Sequence, residues 1–408
     1  MQRACSIFFY DGYVSLAPTI INLSKSLENC EYLVTIFATE SSNIPQPKTI
    51  GNRVKILYFP NKINELKHLD QLKKLTVLIK IVEIIIYCCQ YFTYLIQNNF
   101  PAGKLKSNIN IAIDLHGLFV ALLCFYFFKQ KFLFLSLELE EPRKFRYISK
   151  LLRKIAELAY KKSECVIVQD EDRFKTLSEY HQYQHTKVFY LPNSSLNDCP
   201  ATNTGNFFRE KFDLSKEEFP YIVLQAGMLN DFVCSKSLAH AFASIDGGFA
   251  LVFHGVDSRQ IKEEDTYIRS LRQLNSNNLF LSLNPLPYDQ VDKIYASSTI
   301  GLAFYANMGD NLTKIAMASG KLAFYLKHGK PVLVSNLPSL FQLVEKYQFG
   351  IIINDASDAQ EIKLAIDKII SHYDIYSKNA KCCFAAEFDF QNKMEPIVLF
   401  MDDLQAGL

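Results

Sequence analysis

The amino-acid sequence predicts an α/β protein of two Rossmann-like, doubly wound domains facing across a cleft. Three observations carry this expectation. The chain has 408 residues, enough for two or three domains at roughly 150 residues each. Short β-branched or aromatic runs alternate along it with longer stretches of helical periodicity. The runs are apolar almost throughout, as strands are in a parallel sheet covered on both faces by helices.

In the first half the strand candidates are 6–10 (SIFFY), 32–38 (YLVTIFA), 54–59 (VKILYF), 110–114 (NIAID), 131–138 (KFLFLSLE) and 165–169 (CVIVQ). Amphipathic stretches such as 16–27 lie between them. A polar stretch, 197–218, follows VFYLPNSS at 188–195. The alternation then restarts at 221–227 (YIVLQAG), 249–255 (FALVFHG), 278–282 (NLFLS), 299–305 (TIGLAFY), 330–336 (KPVLVSN) and 349–354 (FGIIIN). These patterns place one Rossmann-like domain at 1–205, a second at 206–385 and a closing segment at 386–408. Open α/β sheets bind ligands beyond the carboxyl ends of their strands, so site residues are sought in the loops there.

Apolar residues make up 49% of the chain and charged residues 21%, which excludes a disordered, collagenous or low-complexity protein. Net charge is only +2, yet the halves differ. Residues 1–200 hold 25 Lys and Arg against 18 Asp and Glu, and the remainder 19 against 24. A basic first half suits an anionic surface. No finger, basic zipper or ribonucleoprotein motif accompanies it, so no nucleic-acid partner is expected.

Ten cysteines form no CxxC pair and lie mostly in apolar runs, which fits a reducing cytoplasm and no metal site. The start, MQRACSIFFYDGY, lacks the apolar core and cleavage site of a secretory signal. The longest apolar runs, 84–96 and 117–128, fall short of the ~20 residues that span a bilayer. No transmembrane helix is expected.

The most informative segment is 307–338. There Ser319-Gly320-Lys321-Leu322 opens a helix, Gly329 stops it and Lys330-Pro331-Val332 begins a strand. A Ser-Gly helix start leaves backbone N–H groups open to close approach, and the helix dipole adds positive potential suited to phosphate. Lys321 adds a full charge. Plain helix capping is the other reading of the same residues.

This stretch resembles the sugar-nucleotide site of the family 4 type retaining glycosyltransferases of the GT-B fold. Their pattern S-G-K-L-x-E-Y-L-x-x-G-x-P-V is met at Ser319, Gly320, Lys321, Leu322, Tyr325, Leu326, Gly329, Pro331 and Val332. Gly227 after YIVLQA and Gly255 after LVFH resemble the glycines ending the first two strands of the family's donor domain. Segments 286–305, 112–117, 134–141 and 190–195 are similar to family segments as well. The resemblance implies a nucleoside diphosphate sugar as donor, no cofactor, no metal, and a final helix crossing back to the first domain. Asn311 and Thr313 sit in the loop before the SGKL turn, where they either bind the sugar or β-phosphate or serve as turn residues.

Three departures stand out. Phe324 occupies the position of the family's ribose-binding Glu, and Ala316 that of its earlier Glu partner. Met228 and Val233 fall near the positions of an Arg and a Lys that hold the diphosphate, with Lys236 close enough to substitute. On the acceptor side the family often carries a His just before an acidic residue. Here Ile113 precedes Asp114, and His116 is the nearest histidine.

His116 is therefore either a substrate contact or a loop or cap residue. Asp114 either orients an acceptor hydroxyl or caps the following helix. Glu138 closes its strand at the cleft-facing end, whereas Glu140 and Glu141 read as solvated charges. Asp11-Gly12-Tyr13 takes the place of the family's glycine-containing loop, or is an ordinary turn.

Residues 143–162 hold Arg143, Lys144, Arg146, Lys150, Arg153, Lys154, Lys161 and Lys162 against Glu157 alone, with apolar residues at helical spacing. Such a helix either lies on an anionic membrane surface or packs its apolar stripe on the sheet. The reading that follows is a cytoplasmic or peripherally bound retaining hexosyltransferase, with a glycan, glycolipid or lipid-linked acceptor. Its rival is a catalytically silent protein of the same fold that partners an active transferase.

Overall fold

Apolar runs become strands in both halves of the chain, and the helices between them cover both sheet faces. The computed structural model describes residues 3–40, 47, 49–61, 76–98, 109–139, 148–196, 205–245, 247–255, 266–274, 276–284 and 286–407.

The first unit holds the strands β1 (Ala4–Phe8), β2 (Leu33–Thr39), β3 (Val54–Phe59), β4 (Ile109–Ile113), β5 (Phe132–Leu135), β6 (Val166–Val168) and β7 (Val188–Tyr190). All pair in parallel in the order β3-β2-β1-β4-β5-β6-β7. Its helices are α1 (Pro18–Asn29), α2 (Thr76–Gln97), α3 (Asp114–Phe128), α4 (Ile148–Lys162) and α5 (Glu171–His181). The order reverses beside β1, the topology that opens a crevice at the carboxyl ends of β1 and β4.

The second unit holds β8 (Tyr221–Ala226), β9 (Phe249–His254), β10 (Leu279–Ser282), β11 (Ile300–Ala303), β12 (Val332–Ser335) and β13 (Gly350–Ile353). These too are all parallel, in the order β10-β9-β8-β11-β12-β13. Its helices begin with α6 (Phe207–Phe212), α7 (Ser235–Ala243), α8 (Thr266–Arg272), α9 (Val291–Ala296) and α10 (Gly309–Thr313). They continue with α11 (Gly320–Lys327), α12 (Pro338–Tyr347), α13 (Ala359–Ser371) and α14 (Tyr373–Cys383).

The first unit comprises Met1–Pro192 and Gln391–Leu408, the second Asn193–Phe390. The second unit thus starts before the polar stretch that marks its start in the sequence. Asn193 already belongs to it: its N–H donates to Met317 O at 2.9 Å and its side-chain amide to Ala318 O at 3.1 Å.

The last helix, α15 (Phe390–Ala406), packs on the first unit. The Tyr32 hydroxyl donates to Asp402 at 2.7 Å, Arg3 pairs with Asp402 at 3.3 Å, and the Phe400 ring meets Phe189 at 5.4 Å. Tyr32→Phe removes one of these ties, a hydrogen bond to a charged acceptor worth roughly 1.5–3 kcal/mol. Amide exchange in α15 is expected to accelerate about tenfold or more.

Helix α3 is apolar on every side after its first turn and is buried at Gly117–Leu122 and Cys124, with Tyr126 and Phe127 of its last turn exposed. It approaches β1 so closely that a Cβ on Gly117 would lie 2.4 Å from the Phe8 carbonyl oxygen. Helix α2 revises the membrane expectation. Sequence runs suggest only a 13-residue apolar core at 84–96, but the helix is continuous over 22 residues. Among the described residues its segment Leu78–Gln97, mean hydropathy 1.5, is the one helix long and apolar enough to cross a bilayer. It nonetheless packs one face on the sheet. The Tyr87 hydroxyl donates to Phe37 O at 2.6 Å, and the Tyr91 ring stands edge-on to Phe8 and Phe37.

Candidate functional site

In the second unit three carboxyl-end features converge on α11. Ser319 is its N-cap: the hydroxyl accepts from Leu322 N–H at 3.2 Å and also bonds the Tyr305 hydroxyl just past β11. Both partners are buried, so this hydroxyl is committed to shaping the turn. The next amides, of Gly320 and Lys321, have no intrahelical acceptor.

Lys321 is the notable group. Its ammonium is buried, with no hydrogen-bond partner among the described residues. It lies 5.0 Å from the Tyr305 ring centroid, and its Cε is 3.7 Å from where a Cβ on Gly227 would sit. Burial lowers its pKa to about 8, against a small opposing pull from Cys234. An enclosed cation without a counter-charge is costly. An anion at the helix start would supply the charge and the hydrogen bonds together.

The two glycines have different duties. Gly227 takes φ +102° directly after β8, a conformation that favours glycine, and leaves room for the lysine tail. Gly255, at φ +147°, lies beneath it: a Cβ there would fall 1.8 Å from the Gly227 carbonyl oxygen. Its task is backbone packing under the turn. Gly320 abuts the Asn193 side chain, where a Cβ would meet the amide at 3.4 Å. Leu322 is core.

The remaining donor-side candidates are placed as follows. The Lys236 ammonium stands 4.3 Å over the Tyr267 ring, whose hydroxyl donates to Asp231 at 3.0 Å. Asn311 and Thr313 lie in the short helix α10 instead of a loop, and the Thr313 hydroxyl donates to Gly309 O at 3.1 Å. Phe324 stacks on Tyr295 at 4.8 Å and meets Tyr288 edge-on. It, Ala316 and Val233 are buried in the core, whereas Met228 is exposed.

At the carboxyl end of the first unit's sheet, the structure brings together residues far apart in sequence. His116, in the first turn of α3, stacks on Tyr10 with centroids 4.0 Å apart and planes 8° from parallel. Its Nε2 lies 3.6 Å from a carboxylate oxygen of Glu83, which is buried within α2. Burial and the Glu83 carboxylate push the Tyr10 hydroxyl pKa up. His116 therefore lies in a helix and not in a loop.

Asp114 is not the N-cap of the following helix. Helix α3 begins at Asp114 itself, with φ +48°, and its carboxylate accepts from Leu137 N–H at 2.7 Å and Glu138 N–H at 3.2 Å. It pins the loop after β5. Glu138 lies in that loop and is exposed, three residues beyond the strand it was expected to close. Asp11 accepts from Tyr13 N–H at 3.3 Å, and Gly12 between them is buried. Glu140 and Glu141 lie outside the described residues. Among the described residues no group of three His, Cys, Asp or Glu side chains gathers as metal ligands would.

Tyr10 and Glu83 are the members that sequence reasoning missed. The only available signal was a lone carboxylate inside an otherwise apolar stretch, 81–96.

Among solved structures the chain is similar to sucrose-phosphate synthase from Thermosynechococcus elongatus, at 14% identity over 100% of both chains with TM-score 0.68. It is similar to HepE of Anabaena in complex with UDP-glucose, at 12% identity over 98% of this chain and 99% of that chain, TM-score 0.67. The N-terminal domain of trehalose-6-phosphate phosphatase from Candida albicans matches at 9% identity over 99% and 97% of the two chains, TM-score 0.70. No family model and no curated protein matches the sequence. The fold is GT-B.

Proposed function

We propose that this chain is a retaining glycosyltransferase of the family 4 type. It would move a hexose from a nucleoside diphosphate sugar to a glycan, glycolipid or lipid-linked acceptor in the cytoplasm. The observation that carries the reading is the enclosed Lys321 ammonium at the first turn of α11, without a hydrogen-bond partner among the described residues. A diphosphate is the anion whose size and charge suit that helix start and lysine together. The HepE structure, bound to UDP-glucose, and a sucrose-phosphate synthase share the fold and support it.

In this reading Lys321 and the Gly320 and Lys321 amides stabilise the charge that develops on the departing diphosphate. The diphosphate accepts the acceptor hydroxyl proton on the same face of the sugar. No metal or cofactor takes part. His116, held against Glu83 and Tyr10, offers a ring nitrogen to a substrate hydroxyl, and Glu83 is a positioning residue behind it.

Calorimetry with UDP, GDP and ADP, followed by nucleoside diphosphate release from the matching donor sugars, tests the proposal. Binding without turnover on any acceptor would favour the silent-partner reading, in which Phe324 and Ala316 stand where the family has its two Glu residues. No binding at millimolar nucleotide would defeat the proposal. Glu83→Gln is expected to lower turnover roughly 10- to 100-fold, the worth of one charge-assisted contact. Nucleotide affinity should stay unchanged.

A further inference from the structure

We propose that the outward face of α2, flanked by the cations of α4, is a docking surface for an anionic lipid bilayer. This inference does not rest on the transferase reading.

Helix α2 is apolar on both sides. Its inner side buries Ile84, Tyr87, Cys88, Tyr91 and Leu95. On the outer side Leu78, Val82, Ile85, Cys89 and Ile96 are all exposed, Ile85 at 55% and Ile96 at 75%. Their spacing of four, three, four and seven residues keeps them on one stripe, about 27 Å long at 1.5 Å per residue. A helix on a protein surface ordinarily turns polar residues outward, yet no charged residue occurs from Ile84 to Gln97.

The apolar area continues onto α3. Phe92 of α2 meets Phe127 at 5.9 Å, and Phe127 is 69% exposed with Tyr126 beside it at 46%. Unpartnered apolar patches of this kind mark interaction sites.

Charge identifies the partner. Lys150, Arg153, Lys154, Lys161 and Lys162 on α4 are exposed, and the one acid on that helix, Glu157, pairs with Arg153 at 3.1 Å. Lys162 stands 5.8 Å over the Phe125 ring, which brings its ammonium to the last turn of α3. Apolar residues bordered by four exposed lysines that pair with no acid among the described residues match the interface of a membrane with anionic headgroups. A second copy packed through the same face would bring like charges together. Of the basic stretch read from the sequence, Arg143, Lys144 and Arg146 lie outside the described residues.

The helix lies on the membrane and does not cross it. Spanning would strip Glu83 from His116 and the Tyr87 hydroxyl from Phe37 O and place both in hydrocarbon.

Co-sedimentation of the full chain with vesicles of phosphatidylcholine alone, or phosphatidylcholine and phosphatidylglycerol at about 7:3, is the test. The protein should sediment at least about tenfold more strongly with the anionic vesicles, and added salt should weaken it. Ile85→Asp with Ile96→Asp, both exposed, should lose binding to both vesicles with an unchanged melting temperature. Lys161→Glu with Lys162→Glu should lose only the anionic preference.

Wild-type protein that remains in the supernatant with anionic vesicles, or aspartate variants that bind as well as wild type, would overturn the proposal. So would a dimer by light scattering that those variants convert to monomer, which would assign the face to a second copy. Nucleotide binding measured without vesicles reports separately on the donor site, so the two readings fail independently.

Discussion

Lys321→Met should weaken nucleoside diphosphate binding about 100-fold or more while raising the melting temperature of the free protein. The loss follows from removing a charge-assisted contact to a multiply charged anion, roughly 1.5–3 kcal/mol for each hydrogen bond. The gain follows from the same observation: the ammonium is buried with no hydrogen-bond partner among the described residues, so methionine of similar length relieves a penalty that a bound anion otherwise relieves. Calorimetry and a thermal melt on one preparation read both.

The pH dependence has a definite sign. Burial lowers the Lys321 pKa from 10.5 to about 8, so the folded protein gives up that proton before the unfolded chain does. Between about pH 8 and 10.5 the unfolded chain binds more protons, and this lysine makes stability rise with pH over that window. Nucleotide affinity moves the opposite way. At pH 9 about one lysine in ten is still charged, so binding should be about tenfold weaker than at pH 7. Lys321→Met should abolish that dependence.

Gly255→Ala should destabilise the second unit by about 3 kcal/mol or more and abolish nucleotide binding with it. The added methyl would lie 1.8 Å from the Gly227 carbonyl oxygen, and φ at Gly255 is +147°. A backbone atom cannot rotate away as a side chain can. Relief would have to break the Gly227 N–H to His254 O bond of 2.9 Å, and the turn beside Lys321 would move with it. Gly320→Ala is the control. Its methyl would meet only the Asn193 amide at 3.4 Å, with no positive φ, so a loss of under about 1 kcal/mol is expected in chemical denaturation.

Strands were legible wherever apolar residues run without interruption. The 54–59 run coincides with β3, and 249–255 exceeds β9 by one residue. At 131–138 the run overshoots β5 by three residues, because Asp114 captures the amides of Leu137 and Glu138 and draws them out of the ladder. The length of α2 was not legible, since Lys80 and Glu83 interrupt the hydropathy although one of them is buried against His116.

The helix start at Ser319 could be read from cap chemistry, which is local. The association of Tyr10, Glu83 and His116 could not. Each sits on a different element, and their meeting depends on β1 and β4 pairing as neighbours with α2 packed over them. Local pattern is silent on such a meeting. Likewise, nothing local tells that Gly255 serves Gly227 through the backbone.

The return of α15 to the first unit sets an order on biosynthesis. Residues 193–390 form an uninterrupted stretch, so the later unit can reach its native state as soon as it clears the ribosome. The earlier unit has to wait for 391–407, the segment that brings Asp402 to Tyr32. Its aromatic interior would meanwhile be open to chaperones, and a released chain ending at residue 390 should resist protease over 193–390 while its earlier part is cut.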